Sequence, residues 1–313
     1  MPHGIDRKEF VAALGSIYPT GYTRRMEKLR LTDKSRENAE KQGEWKLMDQ
    51  FSEARDEVRG TEDAFLVTEH CVAVLDGVST PKNPKSVDGE TPAQFAIRIA
   101  IDALRSATDL KAEDAAVFLT ERLREAVAQT EVPGNPSFVC VLFFPKQNRI
   151  VRIGDCSYLL DGVGYNPGIP PDVRRAAIRK HAIERARADG VSDEELVEHD
   201  PVSARAQELR EWQNQYANNP DAPEWGYAVV DGRDIPEQYV EHISVPVEAK
   251  SIVLASDGYP PSTLRNSLQE TETALQTVER TDPLGIAERS IHAMKPKKGH
   301  AAADDRTYLR VTR

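Results

Sequence analysis

Six acidic residues of this chain sit where apolar runs begin or end. Asp76 and Asp257 stand in Leu75-Asp76-Gly77-Val78 and Ala255-Ser256-Asp257-Gly258-Tyr259, directly after the β-type runs Cys71-Val72-Ala73-Val74 and Ile252-Val253-Leu254-Ala255. Glu62-Asp63 opens the run Ala64-Phe65-Leu66-Val67, and Asp304-Asp305 opens Arg306-Thr307-Tyr308-Leu309-Arg310-Val311. A carboxylate at the mouth of a buried strand, followed by a glycine that lets backbone approach closely, suits a hard cation with oxygen ligands. Strands often end in Asp-Gly turns, so either pair alone says little. Four such boundaries spread over most of one chain form the pattern of a single site assembled from distant segments.

The segments Thr61-Glu62-Asp63-Ala64, Val74-Leu75-Asp76-Gly77-Val78, Ile153-Gly154-Asp155-Cys156, Leu254-Ala255-Ser256-Asp257-Gly258 and Asp304-Asp305-Arg306-Thr307 occur in that order. They resemble the successive motifs of the metal-dependent protein phosphatases, the type 2C family. None is specific alone; five in the correct order, the last at the chain end, are. The likeness runs from about Gly60 to the C-terminus. It implies a four-layer αββα sandwich of the α+β class, with two central, mainly antiparallel sheets flanked by helices.

Carried over residue by residue, the resemblance makes Asp76 a carboxylate shared by two Mg²⁺ or Mn²⁺ ions. The Gly77 carbonyl and Glu62 would hold one ion, and Asp257 and Asp304 the other. Asp63 would stand behind them and orient the nucleophilic water, while Asp155 would join Asp257 on a looser third ion. Taken singly, each acid would be read as a turn or capping residue; the five motifs together reverse that reading for Asp76, Asp257 and Asp304. The family's phosphate-gripping arginine falls on Arg59, one residue closer to the Glu-Asp pair than usual, with Arg55 behind it. Val78 takes the place where some members carry a histidine proposed as general acid. Ser79-Thr80 replaces the usual glycines, Cys156-Ser157 replaces Ser-Arg, and Asp305 stands where Asn is usual.

Phosphomonoester hydrolysis needs a nucleophile, neutralisation of the transferring charge and in-line geometry, all of which a two-metal centre supplies. Mg²⁺ and Mn²⁺ prefer oxygen donors, and the sequence lacks the close His or Cys pairs of a zinc site. The implied activity is removal of phosphate from phosphoserine or phosphothreonine of a phosphorylated protein by a metal-activated water. Two alternatives stay open: a phosphatase of a small phosphorylated metabolite or nucleotide, and a low-activity regulatory or binding module on the same fold.

Composition narrows the setting. A formal net charge of −10 over 313 residues argues against general nucleic-acid binding, which requires a basic footprint. No apolar run reaches membrane-spanning length, and Met1-Pro2-His3-Gly4-Ile5-Asp6-Arg7 lacks a secretory apolar core. Cys71, Cys140 and Cys156 lack metal-type spacing and lie in or beside strand-like runs, which reads as buried reduced thiols and a cytoplasmic address.

The elements that must position the site follow from periodicity. Residues 1–50 are polar and mixed in charge and read as an N-terminal helical extension, leaving 51–313 as the catalytic domain. Helical spacing predicts helices near 92–107 and 113–129, and Pro145-Lys146-Gln147-Asn148 predicts a hairpin between strands 137–144 and 149–153. A helical insertion or flap is expected over 172–224, broken near Gly190 and Pro201. Its cationic run, Arg174, Arg175, Arg179, Lys180, Arg185 and Arg187, reads first as a solvated face paired with the acids of 193–198, and second as a guide for an acidic partner. Strands are expected at 225–230 and 251–255, and helices at 262–279 and 283–294. Paired strands and paired helices, rather than regular βαβ alternation, favour antiparallel sheets.

Overall fold

Runs that are apolar at every position become the central strands. The computed structural model of the chain describes residues 44–313 apart from 58, 79–88, 133, 166 and 167. Within it β3 (Val72–Gly77), β4 (Phe138–Phe144) and β9 (Ser251–Ala255) are covered on both faces, so their hydrophobicity is continuous instead of alternating. Among the described residues two five-stranded sheets form. One runs β2 (Asp63–Val67), β3, β4, β5 (Arg149–Ile153) and β8 (Val240–Ser244). The other runs β1 (Lys46–Glu53), β10 (Arg306–Thr312), β9, β6 (Ser157–Leu160) and β7 (Val163–Tyr165). Every neighbouring pair is antiparallel.

Side-chain alternation divides the core into layers. Val72, Val74, Val139 and Val141 of the first sheet face Ile252, Leu254, Leu309 and Val311 of the second. The opposite face of the first sheet, with Ala73, Leu75, Cys140 and Leu142, packs on α1 (Pro92–Ser106) and α2 (Ala115–Gln129). Val253, Ala255 and Tyr308 on the outer face of the second sheet meet Leu275 of α6 (Leu268–Thr281). The result is the expected helix–sheet–sheet–helix stack. Helix α1 begins where Thr91 and Gln94 form a reciprocal capping box with Pro92 at the first turn, satisfying otherwise orphaned N–H groups.

The insertion folds as α3 (Pro170–Ala188), α4 (Asp193–Glu198) and α5 (Ala206–Asn214), with breaks near Gly190 and Pro201 as expected. Ile183, Leu196 and Val197 form a small core with Leu284 and Ala293. Arg179, 1% exposed, donates to Asp200 and to the carbonyl of Leu284, so it ties the insertion to the body of the protein. Arg187 pairs with Asp193 as the solvated-face reading expects, but Arg174 and Arg179 of the same run are buried because they turn inward against the body of the protein, so that reading holds for only part of the run.

Four assignments differ from expectation. Residues 46–50, placed in the helical extension, are strand, because β1 is a polar edge strand whose charged side chains hide its pairing with β10. Residues 1–43 and Ser79-Thr80 lie outside the described residues. Only isolated bridges, Ala217 to Tyr227 and Phe138 to Val230, form where strand 225–230 was expected. There the Asn218 side chain donates to the Val229 carbonyl and accepts from its N–H, replacing a ladder partner. The segment 283–294 is a set of turns, not a helix. The Asp282 carboxylate takes the N–H groups of Ile286, Ala287 and Glu288, and positive φ at Gly285 and Arg289 ends any helical run. Strands β7 and β8 together make the fourth difference, since neither was read from the sequence. The three cysteines are buried and unpaired by disulfide, and no described helix is long and apolar enough to cross a membrane.

Gly154, in the β5–β6 turn, has φ +89° and would place a Cβ 2.2 Å from Val139 Cγ1. Gly154→Ala should therefore cost about 1–3 kcal/mol in a urea melt through overpacking, with further strain from the positive φ. Adding Val139→Ala should recover part of that loss, whereas an unchanged melt for the single variant would contradict the packing described.

Candidate metal centre

All the strand-end acids emerge at one end of the double sheet. Asp63 and Asp76 are register partners across β2 and β3, and Asp76 follows Val72 and Val74 on the face between the sheets. From the second sheet, Asp257 follows the end of β9, while Asp304 and Asp305 lead into its partner β10. Asp155 lies in the β5–β6 turn. The Asp257 N–H approaches Asp76 Oδ2 at 3.4 Å, so the two sheets meet here through their acids. Asp63, Asp76, Gly77, Asp155, Asp257 and Asp304 line one cleft of about 930 Å³.

The glycine after each aspartate permits this convergence. A Cβ on Gly77 would stand 2.5 Å from the Glu62 carbonyl oxygen, to which the Gly77 N–H donates at 2.9 Å. A Cβ on Gly258 would stand 2.1 Å from the Asp305 carbonyl oxygen. Asp305 then acts as a staple: its carboxylate accepts the backbone N–H of Arg55 at 2.7 Å and of Glu62 at 2.6 Å. The loop between β1 and β2 is thereby fixed to the start of β10.

Burial dominates the electrostatics. It drives the Asp63 and Asp76 carboxyls well above the usual carboxylate range, and neighbouring aspartates push Asp76 further while a hydrogen bond from Ser256 partly offsets the rise at Asp63. Burial and the charge of Asp257 push Asp155 up to about 8, and burial with Asp304 pushes Asp257 to about 6. Asp304 behaves oppositely. Burial would raise it, but His292 and Arg55 hold it at about 2. Its Oδ1 accepts from Arg55 at 2.9 Å and its Oδ2 lies 3.1 Å from His292 Nε2.

The remaining expected residues are placed differently from one another. Glu62, 2% exposed, is bonded by the Thr91 hydroxyl and paired with Arg59, and neither Glu62 nor Arg59 lines the cleft. Arg55 does line it. Val78 is exposed at its edge. Several lining residues escaped sequence reasoning: His292, Asp172, Arg210 and Lys297. Asp172 and Arg175 pair at 2.9 Å, and Arg175 reaches Gln213 on α5 at 2.6 Å. These come from the insertion and its surrounding loops, where no motif marks them. Arg175 carried a signal within the cationic run.

The donor set fits a divalent cation. It consists of carboxylates and the Gly77 carbonyl, all hard oxygens, and Asp63 Oδ2 is buried without a hydrogen-bond partner among the described residues. Burial and neighbouring acids raise four of these carboxylates, so a divalent cation placed among them would favour their charged forms. Among the described residues no three His, Cys, Asp or Glu side chains close on one point.

Between about pH 4 and 8 the folded chain without metal binds more protons at Asp155 and Asp257 than the unfolded chain does, so their contribution to stability falls as pH rises. Asp304 contributes the reverse, but only between about pH 4 and 2, where its stabilisation is lost on acidification. In EDTA, the melting temperature should therefore be higher near pH 5 than near pH 8. A flat or rising profile over that window would contradict the electrostatics.

No family model and no curated protein matches the sequence. Among solved structures the chain is similar to the serine/threonine phosphatase PstP of Mycobacterium tuberculosis, at 16% identity, 86% of this chain, 98% of that one and a TM-score of 0.44. It is also similar to the serine/threonine phosphatase Stp1 of Staphylococcus aureus, at 11% identity, 85% and 94% coverage and a TM-score of 0.47. A third is the PPM Ser-Thr phosphatase MsPP of Mycobacterium smegmatis in complex with cacodylate, at 16% identity, 84% and 97% coverage and a TM-score of 0.41.

Proposed function

We propose that this chain is a metal-dependent phosphomonoester hydrolase that removes phosphate from phosphoserine or phosphothreonine of a protein substrate. The observation that carries the reading is the convergence of Asp63, Asp76, Asp155, Asp257 and Asp304, from five separated segments, on one cleft. Asp76, Asp257, Asp304 and the Gly77 carbonyl would hold two Mg²⁺ or Mn²⁺ ions, with Asp155 available to a third. Bound there, the ions would supply the charge neutralisation and water activation that phosphoryl transfer requires.

The chain's own groups then have definite tasks. Asp63, buried with an open Oδ2, is set to orient a water and accept its proton. Arg55 lies at the cleft with its guanidinium on Asp304, within reach of an incoming phosphate, and is the better candidate for the phosphate grip. Arg59 instead supports Glu62. Glu62, held by Thr91 and Arg59, braces the backbone beside Gly77. Arg175, Arg210 and Lys297 give the far wall of the cleft a cationic border suited to an anionic polypeptide. The buried reduced thiols suit a cytoplasmic setting.

Hydrolysis of p-nitrophenyl phosphate and of a phosphothreonine peptide should require added Mn²⁺ or Mg²⁺. Asp76→Asn and Asp257→Asn should each lower kcat by about a hundredfold or more while folding normally. Full turnover in EDTA-treated, metal-free buffer would defeat the proposal. Arg55→Ala should raise KM about tenfold, an effect of the size expected for one charge-assisted contact, whereas Arg59→Ala should leave KM near wild type. The opposite pattern would return the phosphate grip to Arg59.

A further inference from the structure

His292 lies in the turn-rich segment after α6 that the sequence reading assigned to a helix. Its ring reaches the cleft. Its Nδ1 is 3.1 Å from the Ala293 carbonyl oxygen. A carbonyl can only accept, so Nδ1 carries the proton and Nε2 is the atom turned toward the acids. Nε2 lies 3.1 Å from Asp304 Oδ2. The other oxygen of that carboxylate is already occupied by Arg55 at 2.9 Å and by the Asp305 N–H at 3.0 Å. Oδ1 is thus held by two donors, and Oδ2, which meets the His292 ring, is the oxygen an ion would share with Nε2 in place of the proton between them.

We propose that His292 Nε2 and Asp304 Oδ2 are neighbouring ligands of the same divalent ion, so that one of the two metal positions is a mixed nitrogen–oxygen site. The proposal rests on the metal-dependent reading above. Two ligands at right angles, each about 2.1 Å from an ion, stand about 3 Å apart, which matches the spacing already present. The Ala293 carbonyl behind Nδ1 is the outer partner that fixes tautomer and ring direction in metal-ligating histidines. An imidazole ligand shifts preference from Mg²⁺ toward Mn²⁺ and other transition ions, because Mg²⁺ favours oxygen donors. The turns that place His292 are built for position: Asp282 gathers three N–H groups, Gly285 adopts φ +67°, and Leu284 and Ala293 anchor to the insertion core.

The test is direct binding and pulsed electron paramagnetic resonance of Mn²⁺ on the full chain, with His292→Gln as the comparison. The expected result is stoichiometric Mn²⁺ binding with a ¹⁴N coupling of directly ligated imidazole, a coupling lost in His292→Gln. Mn²⁺ affinity at one site should fall about tenfold or more in the variant, with a smaller change for Mg²⁺. Stoichiometric Mn²⁺ binding without ¹⁴N coupling in the wild type, or a coupling that persists in His292→Gln, would overturn the ligand assignment and leave the metal-dependent reading standing. Absence of Mn²⁺ binding up to millimolar concentration would overturn both. The wild-type spectrum decides even if His292→Gln fails to fold.

Discussion

Mutual repulsion among buried carboxylates is the constraint around which this molecule is arranged. Asp63, Asp76, Asp155 and Asp257 are held at one end of a close-packed double sheet, where burial alone raises each of them toward neutrality. A fold that only had to be stable would replace them with apolar side chains that continue the Val72, Val74 row. The surrounding structure bears the cost through rigid backbone. Gly77 lets β3 close on Glu62, Gly258 lets Asp257 close on Asp305, and Asp305 staples the β1–β2 loop to β10. Each contact joins segments far apart in sequence, so the position of the acids is set by the sheets and not by a flexible loop.

The same constraint explains why Asp304 differs from its neighbours. Its carboxylate is met by both Arg55 and the His292 ring, and it stays ionised while the others are pushed up. The site is therefore polarised: one flank is an acid gripped by side chains and held low, and the other is a group of acids that burial and their mutual charge push up. A phosphate ester brought to the cleft would meet Arg55 at the first flank and need cations at the other.

Much of this was legible in the sequence, for a physical reason. The strands that end in Asp76 and Asp257 are buried on both faces, so continuous apolar runs ending in Asp-Gly gave away both the strand and the end at which its acid stands. Helices α1 and α2 were equally plain from their spacing. Strand β1 was not, because an edge strand with one solvated face carries Lys46, Asp49 and Glu53, and its identity depends on pairing with β10 at the other end of the chain. The family resemblance put Arg59 at the site with Arg55 behind it, whereas Arg55 is the one that lines the cleft, because the loop before β2 absorbs residues that a strand would have counted strictly. His292 left no trace at all. Its place depends on the Asp282 carboxylate and on two residues of positive φ, which periodicity read as helix.

The central claim, that this acid cluster is a site for divalent cations, is tested most directly by thermal denaturation at pH 8 in EDTA and with increasing Mn²⁺. Ligand that binds only the folded chain must raise its stability, by about 2.7 kcal/mol at a hundred times the dissociation constant. The account predicts a melting temperature that climbs with Mn²⁺ in the wild type and fails to climb in Asp76→Asn. Identical melting curves for the wild type with and without millimolar Mn²⁺ would contradict it.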